Sequence, residues 1–209
     1  MDSLVYATIK KITEKIEQNK DFLTDLDREI GDGDHGINMT RGFTAVLTKI
    51  SLDDDLDISS TLKKVGMTLL STVGGASGPL YGSAFLKASA ALKDITTLTA
   101  PVLGKILTAS LTGIKERGKA VKGDKTMVDA LEPACDAFVF ALSQNASCLE
   151  CMDQAIAAAK LGVEYTKSIA AKKGRASYLG ARSIGHQDPG ATSVLIILEA
   201  IREVINRKG

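Results

Sequence analysis

The stretch Ser193-Val194-Leu195-Ile196-Ile197-Leu198 decides the fold. It is the only run in the chain that passes for a buried β-strand: short, apolar and rich in branched side chains. Its continuation, Glu199-Ala200-Ile201-Arg202-Glu203-Val204, extends it past ordinary strand length, so helix is the better reading. With that run helical, no strand is left, because hydrophobic spacing elsewhere follows the helical i, i+3/i+4, i+7 rule. Val5, Ile9, Ile12 and Ile16 form one stripe; Met39, Phe43, Val46 and Ile50 form another. Leu62, Val65 and Leu69 form a third. Leu103, Ile106, Ser110 and Ile114 follow Pro101, a first-turn proline, and Met152, Ile156, Ala159 and Val163 line an alanine-rich helix. Pro133 is expected to kink or divide the helix around residues 127–142. The expected architecture is an all-α, single-domain bundle of about eight antiparallel helices.

Composition narrows the function classes. At 209 residues the chain is long enough to bury a real core. A net charge of +1 gives no general basic face for nucleic acid, and 4% aromatics with no tryptophan argue against base-stacking surfaces. No apolar run reaches the roughly 18 residues of a membrane span, and the N-terminus lacks a secretory apolar region. The expectation is a soluble, cytoplasmic protein with no membrane or nucleic-acid partner. Cys148 and Cys151 form a lone C-x-x-C at what reads as a helix start, with neither a second pair for zinc nor a βαβ pattern, so their role is structural or incidental. Cys135 reads as core. Asp53-Asp54-Asp55 reads as a solvated turn.

Chemistry is concentrated in the connections. Asp27-Arg28-Glu29-Ile30-Gly31-Asp32-Gly33-Asp34-His35-Gly36 puts three aspartates, a histidine and three glycines into ten residues. Asp32 and Asp34 alternate with glycine, so in an extended loop both point the same way; Asp27 can close the same site from the preceding helix. Carboxylates this dense repel one another unless a cation lies between them, and oxygen ligands without a thiolate suit Mg²⁺, Mn²⁺ or Ca²⁺. A solvated acidic turn accounts for the same composition, while the offsets of an EF-hand are absent.

Gly74-Gly75-Ala76-Ser77-Gly78 leads into a helix and leaves backbone N–H groups open to an anion, without a Walker lysine or a G-x-G-x-x-G; taken alone, such a loop is more often a close helix contact. Lys172 through Arg182, then Gly185-His186-Gln187-Asp188-Pro189-Gly190-Ala191-Thr192, form a glycine-punctuated connection in which Arg175 and Arg182 offer guanidinium forks. The segment 115–129 mixes charge, glycine and one methionine, and reads equally as a pocket wall or a mobile basic loop. In an antiparallel bundle, connections near residues 33, 76, 121 and 184 fall on one rim.

Five blocks resemble the nucleotide-binding L subunits of dihydroxyacetone kinases: Gly31–Gly36, Gly74–Gly78, Gly123-Asp124-Lys125-Thr126-Met127, Gly174–Gly180 and Gly185–Ala191. The resemblance covers essentially the whole chain, in order. It implies a barrel of eight antiparallel helices forming one L-type domain across residues 1–209, with the nucleotide at one rim. By it, Asp27, Asp32 and Asp34 match the aspartates holding two Mg²⁺ that bridge to the diphosphate of ADP. His35, Gly36, Ile37 and Asn38 match a segment along the nucleotide, and Ala76 and Ser77 the phosphate-side loop. Gly118 and Met127 match positions near adenine and ribose; Arg175, Asp188, Pro189 and Gly190 match further contacts, with Arg175 also a charge stabiliser.

The same resemblance implies a phosphotransferase in which tightly held ADP, converted to ATP in place, takes phosphoryl from a phosphohistidine M subunit. It then passes the group to dihydroxyacetone on a K subunit. The chain has no room for a K part, which favours this phosphoenolpyruvate-driven route. A free-ATP kinase subunit and a non-catalytic nucleotide-binding regulator are the alternatives, and a homodimer is left open.

Overall fold

The computed structural model describes residues 3–52, 57–93 and 95–207. Among them are nine α-helices and one 3₁₀ segment, and no strand. The helices are α1 (Ser3–Gln18), α2 (Lys20–Ile30), α3 (His35–Lys49), α4 (Ile58–Thr72) and α5 (Ser77–Ala91). They continue as α6 (Ala100–Gly118), α7 (Val128–Ser143), α8 (Cys148–Ser168) and α9 (Pro189–Asn206), with the 3₁₀ segment at Arg175–Ser183. The Ser193–Leu198 run lies wholly inside α9. The Asp53–Asp55 turn falls outside the described residues.

Eight helices close a ring in the order α1, α3, α4, α5, α6, α7, α8, α9 and back to α1; α2 stands outside it, against α3 and α9. The apolar stripes explain the closure. Ile9, Ile12, Ile16, Met39, Phe43, Val46, Leu69, Met152 and Ala159 all turn inward and are buried. Each buried Leu, Ile, Phe or Met contributes about 1.5–3 kcal/mol over leaving it in water. An apolar cavity of about 290 Å³ remains inside the ring, walled by residues such as Ile9, Leu62, Phe85, Leu107 and Val194.

The stretch before the acidic loop holds two helices, parted at Asn19, where α1 stops and α2 sets off against α3. Pro133 does not divide its helix: α7 runs unbroken through it. Proline leaves the carbonyl of Asp129 without its helical donor. That carbonyl abuts Gly162 of α8 so closely that any side chain there would overlap it. The missing bond therefore becomes a close contact between neighbouring helices.

The C-x-x-C opens α8, as expected. Ser147 caps it in a full capping box with Glu150, and Cys148 and Cys151 are free thiols. Cys135 is buried. No helix among the described residues is long and apolar enough to cross a membrane.

Candidate functional site

The acidic loop is built on α2. Asp27 Oδ2 accepts from the backbone N–H of Asp34 at 2.8 Å and of His35 at 3.2 Å, capping α3 from outside its own chain segment. Gly31 lets that carboxylate approach, since a Cβ there would overlap Asp27 Oδ1. Gly33 turns the loop at φ +71°, a conformation that disfavours side chains. One carboxylate oxygen each of Asp27, Asp32 and Asp34 lies within 4.8 Å of the others. Arg175 Nη2 sits 2.9 Å from Asp32 Oδ2, both side chains being largely open to water.

His35, the first residue of α3, is buried. Its Nδ1 lies 3.0 Å from Ser77 Oγ and its Nε2 2.9 Å from Ser193 Oγ. Burial pushes its pKa down to about 4, against a smaller pull from Asp27. The ring is neutral at pH 7 and both nitrogens are engaged, which leaves none free to take up a phosphoryl group.

Ser77 opens α5, and Met127 is the residue before α7; neither helix is capped by the side chain of the residue before it. At α5 the N–H groups of Ser77 and Gly78 therefore point at whatever lies before them, whereas at α7 Val128 N donates to Thr126 Oγ1 at 3.2 Å and Asp129 N to Thr126 O at 3.0 Å. At α9 the cap is Asp188, whose Oδ2 accepts from Ala191 N at 2.7 Å. Burial raises the Asp188 pKa to about 7. The Ala191 bond and Lys125 oppose the rise, while Asp129 and Asp27 add to it.

The connection before α7 is built rather than loose. Asp129 is wholly buried and accepts from Gly123 N at 2.6 Å and Thr126 N at 2.8 Å. Lys125, also buried, adopts a left-handed φ of +60°. Its Nζ donates to the carbonyls of Thr166, at the end of α8, and His186, just before α9. A left-handed non-glycine costs about 1–2 kcal/mol, which those two charge-assisted bonds offset. Burial lowers the Lys125 pKa, with Asp188 and Asp129 acting the other way.

The segment between α8 and α9 forms the 3₁₀ turn, kinked at Gly180. It is fastened by Ser183, whose Oγ accepts from Ala171 N at 2.8 Å, and by Gly185 N donating to Lys167 O at 2.7 Å. His186 Nδ1 reaches Glu29 of α2 at 2.9 Å.

These elements enclose one cleft of about 370 Å³ at the end of the ring where α3, α5, α7 and α9 begin. Asp27, Asp32, Asp34, His35, Ala76 and Ser77 line it. So do Gly118, Met127, Arg175, Asp188, Pro189 and Gly190. Three candidates do not: Gly36 packs against Lys20 and Thr24 of α2, Ile37 faces water, and Asn38 is buried beneath Gly74, accepting from Arg41. Arg182 stays outside as well.

Arg117, Lys125 and Lys173 also line the cleft, and Leu80, Ile114 and Val128 form an apolar wall. All three basic residues lie in stretches singled out in the sequence, 115–129 and 172–182, but none was named as a site residue.

The all-helical ring sets a carboxylate cluster, chemically suited to hard cations, beside the open N-terminus of α5, chemically suited to an anion. The chain belongs to the DAK2 domain family, whose profile matches residues 29–203. Among its relatives is the "PEP-dependent dihydroxyacetone kinase, ADP-binding subunit DhaL" of Escherichia coli K12. The two are 47% identical over 181 residues, covering 87% of this chain and 86% of that one. A Listeria innocua protein described in the same terms is also 47% identical, over 90% of this chain and 89% of its own length.

The mouse "Triokinase/FMN cyclase" is 35% identical over 91% of this chain, which spans only 33% of that longer protein. Among solved structures, the dihydroxyacetone kinase from C. freundii in complex with AMP-PNP and Mg²⁺ superposes with a TM-score of 0.74 at 25% identity. That match covers 97% of this chain and 34% of the kinase. The relatives are kinases and kinase subunits, and the fold is theirs.

Proposed function

We propose that this chain is the ADP-binding phosphotransfer subunit of a phosphoenolpyruvate-dependent dihydroxyacetone kinase, one L-type domain over residues 1–209. The observation that carries this reading is the meeting, in one cleft, of the three-aspartate cluster with the uncapped start of α5. The donors fit Mg²⁺. They are carboxylate oxygens close enough to share cations, no thiolate is among the cleft residues, and both His35 nitrogens are engaged by hydroxyls. Two Mg²⁺ against three carboxylates would leave about one positive charge facing a diphosphate.

The remaining walls suit a nucleotide. Leu80, Ile114, Met127 and Val128 offer an apolar face to a base. Gly118 keeps the slot open, because a Cβ there would stand 2.9 Å from Leu80 Cδ2. Backbone N–H groups at Ser77 and beyond would take phosphate oxygens. Arg175 rests on Asp32 of the acidic cluster and is suited to neutralise a phosphoryl group in transit. Bound here, ADP would supply the acceptor for phosphoryl from a phosphohistidine of an M subunit and the donor to dihydroxyacetone on a K subunit. The protein's part is to position and neutralise, which is most of what phosphoryl transfer requires.

Native mass spectrometry of the desalted protein and of Asp32→Ala tests this. The expected result is ADP with two Mg²⁺ retained by the wild type and lost from the variant. An empty wild type that binds ATP weakly and reversibly would point to a free-ATP kinase subunit. Absence of nucleotide and metal binding under all conditions would overturn the catalytic reading and leave a regulator.

A further inference from the structure

Three groups converge on one buried hydroxyl. Ser193 Oγ, with no exposed surface, lies 2.9 Å from Gly190 O, 2.7 Å from Tyr81 Oη and 2.9 Å from His35 Nε2. Ser193 has one proton to give. The Gly190 carbonyl can only accept, and two oxygens held 2.9 Å apart with no proton between them repel, so the proton lies on that line. Both lone pairs of Ser193 are then left as acceptors. Tyr81 is buried and has no other hydroxyl partner, so its O–H fills one. The other takes His35 Nε2–H.

The consequence runs on to the cleft. The buried ring has a serine hydroxyl at each nitrogen and, among the described residues, no carboxylate hydrogen-bonded to it, an environment for a single-proton imidazole. With that proton on Nε2, Nδ1 is bare, and the group 3.0 Å from it is Ser77 Oγ. Ser77 must donate to it. Its only proton is committed to His35, and it faces the cleft with oxygen lone pairs alone. Such an oxygen repels phosphate oxygens and attracts a cation.

We infer that Ser193, supported by Tyr81, is a positioning residue of the site: through His35 it turns the Ser77 hydroxyl proton away from the cleft. Ser77 then meets a metal–diphosphate on its cationic side, while its backbone N–H serves the anionic side. This rests on the nucleotide–metal reading for its consequence, but the proton arrangement itself exists without any ligand.

The chain's two histidines make the test direct. In ¹⁵N-histidine-labelled, nucleotide-free protein at pH 7, long-range ¹H–¹⁵N spectra report which ring nitrogen holds the proton. His186, whose Nδ1 lies on the Glu29 carboxylate, is identified by its loss in His186→Gln. The expected result for His35 is the Nε2–H tautomer in the wild type, displaced toward Nδ1–H in Ser193→Ala. Nδ1–H or a doubly protonated ring in the wild type would overturn the inference, whatever the protein binds.

The functional half is read by titrating ADP with and without Mg²⁺. Ser193→Ala is expected to lose roughly five- to tenfold of the Mg²⁺-dependent gain in ADP affinity and to keep its metal-free affinity. Equal loss in both conditions would mark Ser193 as merely structural. If Ser193→Ala does not fold, Ser77→Ala is expected to show the same selective loss, and an unchanged Mg²⁺ gain there would overturn the cationic role. A correct tautomer in a protein that never binds ADP would instead sink the nucleotide reading and leave the relay standing.

Discussion

Lys125 and Asp188 carry the sharpest consequences of burial at single residues. Replacing Lys125 with methionine removes the only side-chain donor on the Thr166 and His186 carbonyls and leaves Asp188 facing Asp129 and Asp27 uncompensated. We expect a loss on the order of 2–4 kcal/mol, read as a lower urea midpoint. Asp188 and His35 act oppositely on the pH dependence of stability. Asp188 has a folded pKa of about 7 against 3.8 for the free group, so between these values the folded state binds more protons and stability falls as pH rises. His35 has a folded pKa of about 4 against 6.5, so in that window the unfolded state binds more protons and stability rises with pH. The two offset each other from about pH 4 to 6.5. Asp188→Asn, which keeps a capping side chain, should expose the histidine slope, with urea midpoints climbing more steeply over that range than in the wild type. The rim positions of the aspartates and Ser77 were legible from the sequence because glycine-punctuated turns between helical stripes carry them. The roles of Lys125 and Ser193 were not, since they come from partners 41 to 158 positions away.

At the scale of elements, periodicity was a good guide and boundaries a poor one. Every apolar stripe lies on a helix, yet the break at Asn19 has no glycine or proline to announce it. The 3₁₀ turn at Arg175–Ser183 is short, polar and held by Ser183, so no hydrophobic period could mark it. Pro133 does not divide α7, and the carbonyl it frees lies against the bare surface of Gly162. A side chain at Gly162 has nowhere to go, so Gly162→Ala should force α7 and α8 apart and cost about 1–3 kcal/mol, visible as a lowered melting temperature. Ser147→Ala, by contrast, removes only the capping box of α8 and should cost about 1 kcal/mol with no effect on nucleotide binding. Calorimetry on the pair separates a packing defect from a capping defect.

Across the whole molecule, the ring sets what the loops can do. Alternation of helix direction brings the starts of α3, α5, α7 and α9 to one end, and this much followed from counting helices in the sequence. The way the rim loops grip one another did not. Asp27 caps α3, Lys125 ties α8 to the approach of α9, and Ser193 of α9 sets His35 of α3. The cleft thus draws on residues from Asp27 to Gly190 and is complete only once α9 has docked between α8 and α1. Refolding followed with a fluorescent ADP analogue should show no capture during early helix formation, and capture only with the slowest phase, since contacts this distant along the chain form late. A rapid burst of capture would mean that a partial ring binds. During synthesis on the ribosome the same closure has a temporal meaning: a chain still lacking its ninth helix has every aspartate and no pocket. On the proposed reading, nucleotide would be held only by copies whose last helix has docked.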